Sequence, residues 1–169
     1  MTTVVVVNGP INSGKSTLGL ALSRRLPDAC FIDGDDHDAP DDAPLLVRVE
    51  AALRRIEARI VGAEGRFLVV AYPLRQEDFE RIGRACGRRE AGLRVITLAP
   101  PLAVALADRG VRRLEPAERK RIVEMYREGY HARPFSDLIL DTARLDPDQA
   151  ADEAAAAVLK SAARLDPQG

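Results

Sequence analysis

The chain has 169 residues, one domain's worth, enough to bury about two-thirds of its surface on folding. Hydrophobic residues make up 46% and charged residues 30%, the composition of an ordinary globular domain rather than a disordered or fibrous chain. Lys plus Arg total 25 against 26 Asp plus Glu, a formal net charge of -1, which removes the global electrostatic case for a nucleic-acid or membrane-surface binder. No stretch approaches the roughly twenty apolar residues of a membrane span. Met1 to Val7 lacks the basic region of a signal peptide. A cytoplasmic protein with no nucleic-acid or membrane partner is expected. Cys30 and Cys86 form no disulfide framework or zinc spacing, and their apolar surroundings predict two small buried side chains.

Thr3 to Val7 is a continuous β-branched run, the mark of a strand buried on both faces of a parallel sheet. A glycine loop leads into a helix over Ser16 to Leu26, with Leu18, Leu22 and Leu26 on one face and Pro27 as its stop. Cys30 to Ile32 reads as the second strand. Leu45 to Val61 is a long amphipathic helix, with Leu46, Val49, Leu53, Ile56 and Ile60 at helical spacing and Arg48, Arg54, Arg55 and Arg59 left to solvent. Phe67 to Ala71 is the third strand, Gln76 to Cys86 a helix, and Leu93 to Leu98 the fourth strand. Pro101 to Arg109 reads as helical. A charged stretch follows to Arg133, in which Arg119, Lys120 and Arg121 are expected on a solvated face. Leu138 to Leu140 is the fifth strand, and the Ala-rich segment Asp148 to Ala163 a closing helix with a frayed tail. The alternation predicts one α/β domain over 1–169: a five-stranded parallel sheet with helices around it.

Between the first strand and the first helix stands Gly9-Pro10-Ile11-Asn12-Ser13-Gly14-Lys15-Ser16-Thr17. It matches GxxxxGK[ST] in the strand–loop–helix context that gives the pattern its meaning. Such a loop turns tightly, aims successive backbone N–H groups inward, and uses glycines to let the chain pass close to a phosphate. The helix N-terminus near Lys15 adds its dipole to the same anion site. Gly9, Asn12, Ser13, Gly14, Lys15, Ser16 and Thr17 are therefore the candidate nucleotide-binding residues. Lys15 would reach the terminal phosphates, and the Ser16 hydroxyl would join a Mg2+ shell.

Switches, motors and small-molecule kinases all use phosphate loops. The Asn-Lys-x-Asp motif of guanine-specific GTPases does not occur in this sequence, and the third strand ends Val70-Ala71-Tyr72-Pro73, without the carboxylate of a motor ATPase. The acids stand instead after the second strand, in Asp33-Gly34-Asp35-Asp36-His37. On extended backbone Asp33 and Asp35 face the same side. They would lie at the carboxyl end of a parallel strand, where open α/β sheets bind their ligands. One carboxylate could hold the metal's water shell while the other takes a proton from an attacking hydroxyl.

With this loop, this acidic turn, an apolar third strand and an Arg-rich stretch before the last strand, the sequence resembles the small P-loop kinases. That group includes shikimate kinase, gluconate kinase, adenylylsulfate kinase and chloramphenicol phosphotransferase. The resemblance implies a three-layer P-loop NTPase fold with helices on both faces of the sheet and a short lid over about 109–133. It implies ATP- and Mg2+-dependent phosphoryl transfer to the hydroxyl of a small molecule. Asp35 would be the base beside the acceptor hydroxyl, and Asp33 would join Ser16 near the metal. Leu106 to Arg113 looks like the start of the family's lid. There Arg109 would stack on the nucleotide base, while Arg112 or Arg113 would reach the transferring phosphate; Arg113 joins Lys15 and Asp35 as a candidate catalytic residue. Leu140-Asp141-Thr142 and Asp146-Pro147 are similar to the family's final strand and adenine loop. A monomer or small homo-oligomer is expected. The alternative is a non-catalytic nucleotide-binding regulatory module, for which the acidic turn would have no use. A third reading, phosphorylation of a macromolecule, is opposed by the chain's size.

Shikimate kinase carries a Gly-Gly pair after its third strand, whereas this chain has Ala71-Tyr72-Pro73-Leu74-Arg75, which speaks against shikimate. Arg75 and His37 fit the pattern of gluconate kinase. The candidate acceptor-binding residues are Asp36, His37, Tyr72 and Arg75. Asp33, Asp35, Asp36, Asp38, Asp41 and Asp42 put six carboxylates in ten residues at the presumed mouth of that site. They would repel an anionic acceptor unless Arg48, Arg54 or Arg75 turned inward, and would receive a neutral polyol or an amine more readily. Met125, Tyr130 and His131 extend the likeness to chloramphenicol phosphotransferase.

Overall fold

The computed structural model describes residues 1–109 and 111–165. Its strands are β1 (Thr3–Asn8), β2 (Ala29–Asp33), β3 (Phe67–Ala71), β4 (Gly92–Leu98) and β5 (Leu138–Leu140). They pair in parallel throughout, in the order β2-β3-β1-β4-β5. The helices are α1 (Lys15–Ser23), α2 (Leu45–Val61), α3 (Gln76–Arg89), α4 (Leu102–Ala105), α5 (Pro116–Arg127) and α6 (Pro147–Leu165).

The valines of β1 explain the layering. Side chains alternate across a strand, so Val4 and Val6 meet Leu53, Ile56 and Ile60 of α2 and Ile82 of α3. Val5 and Val7 point the other way, to Leu18 and Leu22 of α1 and Ala151 and Ala154 of α6. All four valines are 0% exposed, and burying each contributes about 1.5–3 kcal/mol. The chain runs from β1 to the edge strand β2, returns to β3, and then crosses to β4 on the other flank of β1. The crevice at the carboxyl end of β1 is thus the topological switch point where open sheets receive ligands. The glycine loop leaves β1 there.

The strands and main helices form where the sequence places them, with small shifts. α1 starts at Lys15 and stops at Ser23, although a further bond from Leu26 N to Leu22 O still buries Leu26. α3 runs on to Arg89 and α6 to Leu165, two residues into the tail expected to fray after Ala163; the rest of that tail lies outside the described residues. The predicted helix over Pro101 to Arg109 forms only across Leu102–Ala105. Two side chains divert it, one from outside and one of its own. Asn12 Nδ2 donates to the carbonyls of Ala105 and Ala107, and the Asp108 carboxylate accepts from Leu114 N.

The charged stretch contains α5, which opens with Pro116 in its first turn and a Glu118 carboxylate that accepts from Glu115 N. Ile122 of α5 joins Ala105 and Leu114 in a small third cluster. Cys86 is buried as expected, and burial pushes its thiol up to about 11. Cys30 is exposed, against expectation. β2 is an edge strand, and Arg59 of α2 reaches Cys30 with Nη2 3.2 Å from Sγ. Among the described residues no helix is long and apolar enough to cross a membrane.

Candidate active site

The loop after β1 is held open by two glycines and one asparagine. Gly9 has φ +152°, and a Cβ there would stand 2.6 Å from Ser13 Oγ and 2.9 Å from Leu98 O. Gly14, at φ +97°, turns the chain into α1. Asn12 occupies the left-handed region at φ 61°. Its Nδ2 bonds to Ala105 O at 2.9 Å and Ala107 O at 3.0 Å, so the side chain expected on the nucleotide ties the loop to the segment after α4. Ser13 is buried with an unpartnered Oγ, and its carbonyl accepts from Thr142 Oγ1 at 3.2 Å.

Lys15 Nζ donates to Pro10 O at 2.9 Å across the mouth of the loop. Burial pushes its ammonium down to about 8, although Asp35 and Asp33 pull the other way. Ser16 Oγ donates to Asp33 Oδ2 at 2.6 Å.

β2 ends at Asp33, so the alternation expected of Asp33 and Asp35 does not apply; Asp35 lies in the turn beyond the strand. That turn is pinned. Gly34 N donates to Ala71 O at 2.8 Å, and Asp35 N to Asp33 Oδ1 at 3.2 Å. A Cβ on Gly34 would meet Tyr72 Cδ2 at 2.5 Å and Ala71 O at 2.6 Å. Arg55 fastens the same turn: its guanidinium donates to the carbonyls of Asp33 and Asp36 and pairs with the Asp36 carboxylate at 3.0 Å. Arg55 was expected in solvent. No spacing rule shows it, because the contact depends on α2 crossing back over the end of β2.

A cleft of about 810 Å3 runs from this loop to α2, the end of β3 and α5. Its wall brings together Asn12, Gly14, Lys15, Ser16 and Thr17 of the loop with Asp35, His37, Tyr72, Arg75, Arg109 and Arg112. Gly9 and Ser13 lie buried beneath. Asp33 reaches the wall only through Ser16. Asp36 and Arg113 are exposed and do not line the cleft. Of the six carboxylates expected at its mouth, only Asp35 is on the wall.

Most charges on the wall are already paired. Arg75 forks onto the buried Asp78 carboxylate at 2.9 Å through both Nε and Nη2. Arg112 pairs with Glu118 at 3.0 Å and exchanges backbone hydrogen bonds with Arg109 (2.9 and 3.2 Å), so one hairpin carries both arginines. Arg121 lines the cleft instead of facing solvent, paired with Glu128 at 2.7 Å. Arg119 also departs from expectation, bonding to Leu106 O and pairing with Asp108 at 2.9 Å. Lys120 is exposed, as expected. Arg54 pairs with Glu50 at 2.8 Å, outside the cleft. Arg48 turns inward onto the wall with a buried, unpartnered Nε, and His37 Nδ1 is buried and unpartnered too.

Asn8 is a site residue the sequence reading missed. It is 0% exposed, accepts from Leu74 N at 2.8 Å, and donates to Thr97 Oγ1 at 3.0 Å and Tyr130 O at 3.2 Å. One amide thereby joins the base of the phosphate loop to the Tyr72–Arg75 wall and to the end of the α5 segment. A polar residue closing a run of valines is the signal for it, since a buried amide must find partners. His131 stacks on Tyr126 with ring centroids 4.6 Å apart, and the Arg133 guanidinium sits 4.1 Å over the Tyr130 ring.

No protein-family profile and no curated protein matches the chain. Solved structures do. A gluconokinase from Sinorhizobium meliloti 1021 aligns with a TM-score of 0.76 at 20% identity, over 99% of this chain and 97% of that one. The Mycobacterium tuberculosis APS kinase, solved in complex with AMPPNP and APS, gives a TM-score of 0.66 at 19% identity, over 94% and 98%. The tunicamycin resistance protein of Deinococcus radiodurans gives 0.63 at 20% identity, over 94% and 96%. At such identities the likeness is one of fold. The chain has the three-layer α/β fold of the small P-loop kinases.

Proposed function

We propose that this chain is a kinase that uses Mg2+ and ATP to phosphorylate a hydroxyl of a small molecule. The observation that carries the reading is that the phosphate loop and the Asp35 carboxylate share one cleft, while Asp33 binds the Ser16 hydroxyl at 2.6 Å. Two hard oxygen donors so close together suit Mg2+. Among the described residues no cluster of three His, Cys, Asp or Glu side chains forms a cage, so the remaining ligands would be phosphate oxygens and water. Bound there, Mg2+ would neutralise charge growing on the phosphates.

The chain's own residues divide the remaining work. Among the described residues, ion pairs engage Asp78 and Glu118 on the wall and Asp36 beside it, whereas Asp35 has none and would be free to accept the proton of the acceptor hydroxyl. Lys15 would exchange the Pro10 carbonyl for the terminal phosphate, and the Arg109–Arg112 hairpin would bring positive charge to the opposite side. Arg112 suits the phosphate contact better than Arg113, because Arg112 alone of the two lines the cleft.

The test is incubation with ATP and Mg2+ and a mixed panel of polyols, sugar acids, shikimate, nucleosides and hydroxyl-bearing antibiotics, read by mass spectrometry. One panel member should gain a phosphoryl group, and Asp35→Asn should abolish the gain while ATP still binds. Transfer persisting in Asp35→Asn would remove Asp35 from the role of base. ATP binding with no transfer to any compound would favour a nucleotide-binding module instead.

A further inference from the structure

Away from the phosphate loop, the cleft wall is the first two turns of α2. Leu45, Leu46, Arg48, Val49 and Ala52 all line it, and their spacing gives them one helical face. Leu45 is 65% exposed and Leu46 77%, whereas Leu53, Ile56 and Ile60 further along are 3% exposed or less. Large apolar side chains thus stand open to water on the rim of a concave site. A polyol offers such a wall nothing, while an apolar body would cover it.

The charge on this wall points to the rest of the acceptor. Arg75, Arg112 and Arg121 are matched by Asp78, Glu118 and Glu128. Arg48 has no ion pair or side-chain hydrogen bond among the described residues, and its Nε is buried without a partner. Of the acidic run that would repel an anion only Asp35, the candidate base, is on the wall: Asp33 serves Ser16, Asp36 pairs with Arg55, and Asp38, Asp41 and Asp42 do not line the cleft. The inward turn of an arginine that an anionic acceptor would require is therefore met, by Arg48.

Resting on the kinase reading above, we propose that the acceptor is an amphipathic anion: a hydroxy compound whose apolar body lies on Leu45, Leu46 and Val49 and whose carboxylate is held by Arg48. The test uses three probes in ligand-observed NMR titrations of the full chain with Mg2+ and AMPPNP. They are 4-(hydroxymethyl)benzoate, its uncharged amide, and gluconate, which has the charge on a polar body. The benzoate should bind at least about tenfold more tightly than either of the others, as a charge-assisted pair over an apolar contact implies. Arg48→Gln should erase the difference between benzoate and amide, and Arg48→Lys should keep part of it; the second variant decides the matter if the first does not fold. Gluconate binding as tightly as the benzoate, a preference that survives Arg48→Gln, or no binding of any probe would overturn the proposal. Phosphoryl transfer is read separately. Benzoate binding through Arg48 without transfer would count against the kinase reading alone, and transfer to gluconate with the benzoate ignored would count against this inference alone.

Discussion

Nucleotide binding should take up a proton at alkaline pH, through Lys15. Burial holds its ammonium at about 8 rather than 10.5, and the Pro10 carbonyl at 2.9 Å is its hydrogen-bond partner. The phosphates of a bound nucleotide would set several negative charges against Nζ and return the group at least to its ordinary value. Below pH 8 the amine is charged in both states, and affinity is flat. Above pH 8 the free chain has lost a proton that the complex retains, so affinity falls by about tenfold between pH 7 and pH 9. Titration calorimetry at pH 9 in two buffers of different ionisation enthalpy should register close to one proton taken up per nucleotide. Lys15→Arg stays charged throughout and should show neither the uptake nor the slope. A flat wild-type profile from pH 7.5 to 9.5, or the same slope in Lys15→Arg, would refute the reasoning. The unfolded chain keeps the lysine proton between about 8 and 10.5 while the folded chain has released it, so this group makes the fold gain stability as pH rises through that window.

Asn8→Ala strands the Leu74 N–H and the Tyr130 carbonyl in a buried place, while the Thr97 hydroxyl keeps Ser136 Oγ at 2.6 Å. It should cost about 3 kcal/mol, read as a shift of the urea midpoint at constant slope; a loss under about 1 kcal/mol would contradict the network's assigned weight. Gly34→Ala drives a methyl to 2.5 Å from Tyr72 Cδ2 and moves the turn that carries Asp35. Transfer to the acceptor found in the panel should fall by about a hundredfold, with ATP affinity within about twofold. An equal fall in both would mean that the turn supports the phosphate loop.

The fold is legible where the physical requirement is local. Four valines covered on both faces suit only the centre of a parallel sheet, and the glycine loop carries its own geometry in its residue types. The segment after β4 is illegible for the opposite reason. Pro101 to Arg109 has a helical composition, but its carbonyls at 105 and 107 are claimed by Asn12, a partner about ninety residues away in sequence. α5 is obscured by its charge, since only Ile122 and Met125 along it are buried, and its signal is the Pro116 and Glu118 at its start. The acidic run looks like one patch because its members are neighbours in sequence. The bend at Gly34 distributes them, with Asp33 going to Ser16, Asp35 to the cleft and Asp36 to Arg55. Arg48 and Arg121 look solvated because charged residues on amphipathic helices usually are, and what turns them inward is the cleft beside them, which no helical period encodes.

Helix α2 does two different things along its length. Its later turns are part of the hydrophobic interior, while Leu45 and Leu46 at its start are 65% and 77% exposed and give up little buried area when they change. Mutations at Leu45 or Leu46 are therefore nearly free of a stability cost, whereas those at Asn8 or Gly9 are not. Recognition and phosphate handling sit on parts of the chain with very different tolerance to substitution. A scaffold of this kind can change what enters its cleft many times over while the loop at the end of its central strand stays as it is.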